Sequence, residues 1–470
     1  MRSLGFLRPL GQTWTGLSLV IGIVAAFSAL GQAWLAAQAF AITAGLLGFA
    51  GGLIWSATGG VKIIARAAEA SAYVMAMWVT TPLFLVVPFL FFIPDASYLD
   101  GAFEAYSALT TTGAILSPPE AVPDAIIFWR CFISFVGGYL TLLTAAGVLA
   151  AFDRGGLELR KSILLTVDQE NIFSNLQVAA RRILVVYCGI LAVGMLALIA
   201  TGVPIFEALC LAMSALSTGG YTVSSGPLLS QVPALAIALL AVLAFAGAIN
   251  IAVVRDAVSR YRIPLNGDLL AMLGVIAGLY LIFLISTDAP AAPLSSLADA
   301  IFVITTAGFS ATESAGYVPL AAVLAAMIGG AAASTAGGLK ISRLVILSQS
   351  AFVELARMAN PSGVVGIRYR GRSADNPAML ALWATVLSYI GLVAISIVIL
   401  SLLGAPFDAA WSVATTALAN AGPLHNQLSP EFSWSDLPAM AKIYSILLMV
   451  LGRLEVLAGL AAIVALFRRF

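Results

Sequence analysis

Charge is scarce in this chain. Only 10% of its 470 residues are Asp, Glu, Lys or Arg, and 61% are hydrophobic. A soluble globular protein carries about 25% charged residues, and a large core does not explain so wide a deficit. Histidine is almost missing too: His425 stands alone, and one imidazole makes no metal site. The three cysteines, Cys131, Cys188 and Cys210, each lie in an apolar segment. They are too few and too scattered for a disulfide framework or a metal cluster. No G-x-G-x-x-G dinucleotide fingerprint occurs, so any nucleotide regulation has to come from a partner, and no organic cofactor is expected on this chain.

Apolar runs take the place of charge. The stretches 17–27, 34–53 and 234–254 are nearly free of charge, and the mean hydropathy is +1.03. Several runs reach the roughly 20 residues that cross a bilayer as a helix. The composition specifies an all-α, polytopic integral membrane protein. Basic residues such as Lys62, Arg66, Arg154, Arg181, Arg255 and Arg368 fall in every second connection, and Asp95, Glu120, Glu207, Asp288 and Asp408 fall in the others. Lys and Arg in short loops mark the cytoplasmic side, so the acidic connections face out. The N-terminal run could pass for a signal peptide, but a second run follows at once, and residues 13–33 and 34–54 read as a retained helical hairpin.

A unit then recurs four times: an apolar helix, a segment too short to span, a small polar turn ending in glycine, and another apolar helix. The turns lie in SALTTTGA (107–114), SALSTGGY (214–221), FVITTAGF (302–309) and TALANAGP (416–423). The long helices are expected over 71–93 and 124–152, 182–201 and 229–254, 268–287 and 318–349, and 377–403 and 437–470. Self-similarity on this scale is an architectural statement. It divides the chain into a hairpin and link (1–68) and repeats at 69–178, 179–263, 264–372 and 373–470. Interrupted segments at matching places in repeats point to a site inside the membrane, because exposed backbone survives there only within protein or along a watery cavity. Convergence of the four turns on one axis satisfies that condition.

The turns carry no carboxylate and no basic side chain. Backbone carbonyls and a few hydroxyls remain to face an axis, and carbonyl rings replace the hydration shell of a monovalent cation. Divalent ions want carboxylates. Glycine supplies the φ > 0 that aims successive carbonyls alike, and each short helix directs the negative end of its dipole at the turn. The other reading of one such turn is close helix packing by small residues.

At these residues the chain resembles the TrkH/KtrB/HKT superfamily of potassium transporters. FWRCFISFVGGYLTLL (128–143), GGAAASTAGGLKISRL (329–344) and GRLEVL (452–457) resemble three further family segments, and the leading hairpin points to the TrkH-like branch. Phe135 and Leu140 depart from the family pattern, as does PLHNQ after the fourth turn. The resemblance implies two N-terminal helices plus four helix–pore half-helix–filter turn–helix repeats around one central pore. It implies ion-lining carbonyls from Thr111, Thr112 and Gly113; Thr218, Gly219 and Gly220; Thr306, Ala307 and Gly308; and Asn420, Ala421 and Gly422. It further implies potassium uptake across the bacterial inner membrane, a homodimer, and a cytoplasmic nucleotide-binding regulatory subunit similar to TrkA. Channel and proton-coupled symport both remain open. A secondary symporter coupling a monovalent cation to another solute is the alternative function.

Below the filter, residues 329–338 form a run of Gly, Ala, Ser and Thr inside an expected helix. Gly329, Gly330, Gly337 and Gly338 weaken helix continuity, and with Ser334 and Thr335 they form either a loop that blocks the cavity or a helix contact. The resemblance implies an intramembrane gating loop. Arg453, midway along the last apolar run, is costly at membrane depth. Two readings are open for it: an electrostatic barrier under the filter, as the resemblance implies, or a structural pair with a carboxylate such as nearby Glu455. Lys340 and Arg343 belong to the gate or serve as anchors. Arg130 needs an outer carboxylate, Glu104 or Asp124.

Overall fold

The structure, a computed structural model, describes residues 5–59, 67–145, 172–251, 253–254, 267–286, 293–312, 319–360, 368–369, 372–373 and 376–454. It is helical apart from a two-residue hairpin, in which Arg368–Tyr369 pairs antiparallel with Arg372–Ser373. Among the described residues, seven spans are long and apolar enough to cross a membrane.

Helices α1 (Leu7–Leu30) and α2 (Trp34–Ala57) form the expected hairpin, α1 shifted toward the N-terminus and α2 three residues longer at its C-terminal end. The break is tight, with Gln32 at φ +61°. Small residues bring the two helices together: a Cβ on Gly11 would lie 2.8 Å from the Gly51 carbonyl oxygen. The single helix expected over 71–93 is instead α3 (Ala67–Leu85) followed by α4 (Val87–Phe92). Pro88 has no amide hydrogen to continue the α-helical ladder.

Four short helices follow four long ones. These are α5 (Tyr98–Leu109) and, after the spanning α6 (Asp124–Thr144) and α7 (Ile172–Ala200), α8 (Ile205–Leu216). Next come α9 (Ala234–Ala248), α10 (Gly267–Ser286) and the third short helix α11 (Pro293–Ile304). Helices α12 (Pro319–Ile328) and α13 (Ile341–Ala359) replace the continuous helix expected over 318–349, with irregular chain at 329–340 between them. Last are α14 (Asn376–Leu402), the fourth short helix α15 (Phe407–Ala419), the one-turn α16 (Pro423–Leu428) and α17 (Ala439–Arg453). Helix α7 begins at Ile172, so Arg181 and Arg182 lie on a helix and not in a loop. The rest of that connection, Lys62, Arg66 and Glu455 lie outside the described residues.

Burial is inverted relative to a soluble protein. Every residue of α5 from Gly101 to Leu109 is buried, whereas Phe49 on α2 is 74% exposed and Leu402 on α14 is 81% exposed. The short helices are the core, and the long helices turn their leucines outward, as a hydrocarbon surround requires.

Candidate functional site

Each short helix ends at a residue in the left-handed region: Thr111 (φ +52°), Thr218 (+56°), Thr306 (+59°) and Asn420 (+52°). The Thr112 N–H returns to the Ser107 oxygen at 2.8 Å, Gly219 to Ser214 at 2.9 Å and Ala421 to Thr416 at 2.9 Å. This is the Schellman closure of a helix C-terminus, where glycine is usual. The third turn closes one residue later, from Gly308 to Phe302 at 3.0 Å. Three β-branched threonines at positive φ are backbone outliers, and such strain persists only where the surroundings over-determine it.

The surroundings are glycines of the flanking segments. A Cβ on Gly137 of α6 would fall 1.9 Å from the Leu109 oxygen, and one on Gly247 of α9 would fall 2.2 Å from that of Leu216. Gly337 and Gly452 sit likewise against Ala419 and Leu418, at 1.9 and 2.3 Å. Inner backbone therefore presses directly on the last carbonyls of the first, second and fourth short helices, with no side chain between.

The turns meet in chain order around a ring. A Cβ on Gly113 would lie 2.0 Å from the Gly219 oxygen, and one on Gly220 would lie 2.0 Å from the Ala307 oxygen. A Cβ on Gly422 would lie 2.7 Å from the Thr112 oxygen, and the Asn420 amide donates to the Thr112 hydroxyl at 3.0 Å. All twelve of the expected lining residues are thus in the four turns, and the structure brings the turns together. Gly113, Gly220 and Gly308 have positive φ as expected; Gly422 does not, with φ −56° and ψ −40°, because it starts α16. Above the ring lies a cavity of about 470 Å³ bordered by Gly113, Gly220, Gly308, Pro423, Asn426 and Gln427.

Behind the ring, Glu104 and Asp299 occupy matching places on α5 and α11. Glu104 accepts from the Leu116 N–H at 2.8 Å, and Asp299 from the Ala311 N–H at 2.6 Å. Each carboxylate fastens the chain leaving its own turn. Arg130 takes Glu104, not Asp124, as its partner, with contacts of 2.9 and 2.7 Å, and also donates to the Ser117 oxygen at 2.9 Å. Lys442 reaches Asp100 at 2.7 Å.

The irregular segment 329–340 lies directly beneath. Gly329 and Gly338 have positive φ, as do Ala333 and Lys340. The segment bonds α9 through Ala331 N–H to the Ala248 oxygen at 2.8 Å and through Thr335 N–H to the Gly247 oxygen at 2.9 Å. It touches the ring where the Gly337 N–H donates to the Thr306 hydroxyl at 2.8 Å and where the Thr335 hydroxyl donates to the Leu216 oxygen at 3.1 Å. Gly330 packs against the Ala248 oxygen, and the Ser334 hydroxyl donates to the Ala331 oxygen at 2.6 Å. The Lys340 ammonium donates to the Ala336 oxygen, and Arg343 caps the Leu339 oxygen at 3.2 Å. Arg453 connects the layers: its Nε donates to the Thr110 oxygen at 2.6 Å and its Nη1 to the Thr335 oxygen at 2.7 Å. Sequence reasoning missed Gln427, whose side-chain amide donates to the Gly308 oxygen at 3.0 Å; no pattern in PLHNQ marks it.

Chemically, the ring offers neutral oxygens and helix C-termini, which suits a monovalent cation more than an anion or a divalent ion. The family model described as "TrkH: Cation transport protein" matches residues 36–277 and 294–467. Among curated relatives, the "Trk system potassium uptake protein TrkH" of Halomonas elongata is 26% identical over 436 residues, which is 89% of this chain and 90% of that one. The "Trk system potassium uptake protein TrkI" of the same organism is 28% identical over 455 residues, covering 92% and 90%. The crystal structure of the potassium transporter TrkH from Vibrio parahaemolyticus superposes with a TM-score of 0.86 at 24% identity, covering 98% of both chains. That likeness shows the fold.

Proposed function

This chain belongs to the TrkH family of cation transport proteins, and from that membership we propose that it takes up potassium across the bacterial inner membrane through a filter made of its four turns. In this reading the carbonyls of residues 111–113, 218–220, 306–308 and 420–422 replace the ion's hydration shell. The observation that carries it is the ring itself: four short helices end in left-handed turns that abut one another in chain order. Neutral oxygens bind a weakly hydrated cation loosely enough to release it, and four helix C-termini lower the cost of stripping its water.

The segment 329–338 acts as an intramembrane gate, and Lys340 and Arg453 hold it under the filter. An arginine at that depth also raises the electrostatic barrier to a passing cation until the gate moves. The working unit is a homodimer whose cytoplasmic loops meet a TrkA-like nucleotide-binding subunit, with the acidic connections outside. The hairpin 1–68 flanks four pore repeats at 69–178, 179–263, 264–372 and 373–470. The deciding experiment is expression in a potassium-uptake-deficient bacterium: growth at low potassium supports the proposal, and failure to grow with the protein present in the membrane removes it.

A further inference from the structure

The fourth quarter of the ring breaks step with the other three. Gly113, Gly220 and Gly308 have φ of +78°, +70° and +66°, whereas Gly422 is right-handed at φ −56° and leads into α16. A residue before proline avoids that region because its Cβ meets the ring, and glycine has no Cβ. The chain consequently turns over the ring and does not leave it.

Three contacts follow from that turn. The Pro423 ring lies among the other three glycines: a Cβ on Gly113 would be 3.0 Å from its Cδ and Cγ, one on Gly220 2.6 Å from its Cγ, and one on Gly308 3.3 Å from its Cβ and Cδ. The Gly422 N–H donates to the Thr112 oxygen at 2.6 Å. The Gln427 amide donates to the Gly308 oxygen at 3.0 Å. Those two oxygens belong to the first and third turns, on opposite sides of the ring. A carbonyl that accepts from an N–H directs that donor's positive end at any cation sharing the oxygen, and the proline obstructs the approach from the cavity above.

We propose that Gln427 and Pro423, which lie beyond the four turns, set the affinity of the outer cation site by holding α16 across it. Binding of a cation competes with the Gln427–Gly308 and Gly422–Thr112 hydrogen bonds, so external potassium displaces α16 as it binds. This rests on the filter reading above. Gln427 is then a positioning residue for ion capture, and its loss changes affinity without changing the path below.

The test is initial rubidium uptake against external rubidium concentration, in potassium-depleted cells with matched amounts of protein in the membrane. Gln427→Met keeps the bulk and removes the donor, and Gln427→Ala removes both. The half-saturating concentration is expected to fall about fivefold in each, the scale of one hydrogen bond, with maximal rate unchanged. An unchanged or higher half-saturating concentration in both variants overturns the proposal. A wild-type protein that takes up no rubidium overturns the filter reading and this proposal together; working wild-type protein with unmoved variants overturns this proposal alone.

Discussion

Arg453 and Thr335 are joined by a 2.7 Å hydrogen bond from a guanidinium to a backbone carbonyl, although 118 positions separate them in the chain. The same guanidinium holds the Thr110 oxygen at 2.6 Å, so one buried side chain fastens segment 329–340 to the foot of the first turn.

Replacing Arg453 with glutamine therefore frees the segment. Each buried carbonyl left without a donor costs about 1–3 kcal/mol, and in the gate reading proposed above the loss falls on the closed arrangement. Basal rubidium flux should rise severalfold in proteoliposomes, and wild-type flux in this variant would remove Arg453 from the gate.

Deleting two residues from 331–334 should have the same sign. The segment reaches α9 through Ala331 and Thr335, and a shorter loop cannot keep both contacts. An uptake rate equal to that of the intact chain would argue against any gating role for it.

Gly113→Ser and Gly220→Ser test the ring. Each new Cβ would fall 2.0 Å from a neighbouring turn's oxygen, so that oxygen has to move. Discrimination between potassium and sodium should drop by about tenfold, the equivalent of ~1.4 kcal/mol. Competitive uptake measurements read it directly, and an unchanged ratio in both variants counts against the assignment.

The Glu104–Arg130 pair is buried on both sides, at 1% and 2% exposure. Removing one partner strands a buried charge, so Arg130→Met should cost roughly 3–5 kcal/mol, with part regained in the Glu104→Leu, Arg130→Met double variant. Thermal unfolding in detergent by tryptophan fluorescence checks the order. A single variant no less stable than the double would show that the pair is not the relevant contact.

Glu120 ties the loop after the first turn to the loop after the second. It accepts from the Ser225 N–H at 2.5 Å and from its hydroxyl at 2.7 Å. The Ser225 backbone bond, then the hydroxyl bond, holds its carboxyl below the ordinary 4.5. A carboxyl depressed in the folded state stabilises above its unfolded value and loses that contribution as pH falls through the folded one. Glu120→Gln should thus narrow the stability difference between pH 7 and pH 3, by a small amount because the residue is exposed. Identical pH profiles for the two proteins would show that the tether contributes nothing.

The four turns were legible because a small polar break inside an apolar run has few other uses, and four in register have fewer still. Helix ends were less so: Arg8, Pro9 and Gln12 read as a polar lead-in yet lie inside α1, and the interruption at Pro88 reads as a continuous apolar stretch. The left-handed threonines were invisible for a different reason. Local preference argues against them, and only contacts such as Gly137 on Leu109, distant in sequence, hold them there. Gly422 shows the converse limit, since the same letter at the same place takes another conformation where it leads into α16. The choice of Glu104 over Asp124 for Arg130 was equally a matter of three-dimensional reach.

Glu104 and Asp299 stand behind the first and third turns, which face each other across the ring, and each fastens its own outgoing strand. The second and fourth turns are braced by neutral groups instead: the Ser134 and Ser217 hydroxyls meet at 2.8 Å, and the Asn420 amide donates to the Met449 oxygen at 2.9 Å. In the filter proposed above, buried carboxylates thus back one diameter of the passage and neutral hydrogen bonds the other, so its two diameters would respond differently to loss of a brace.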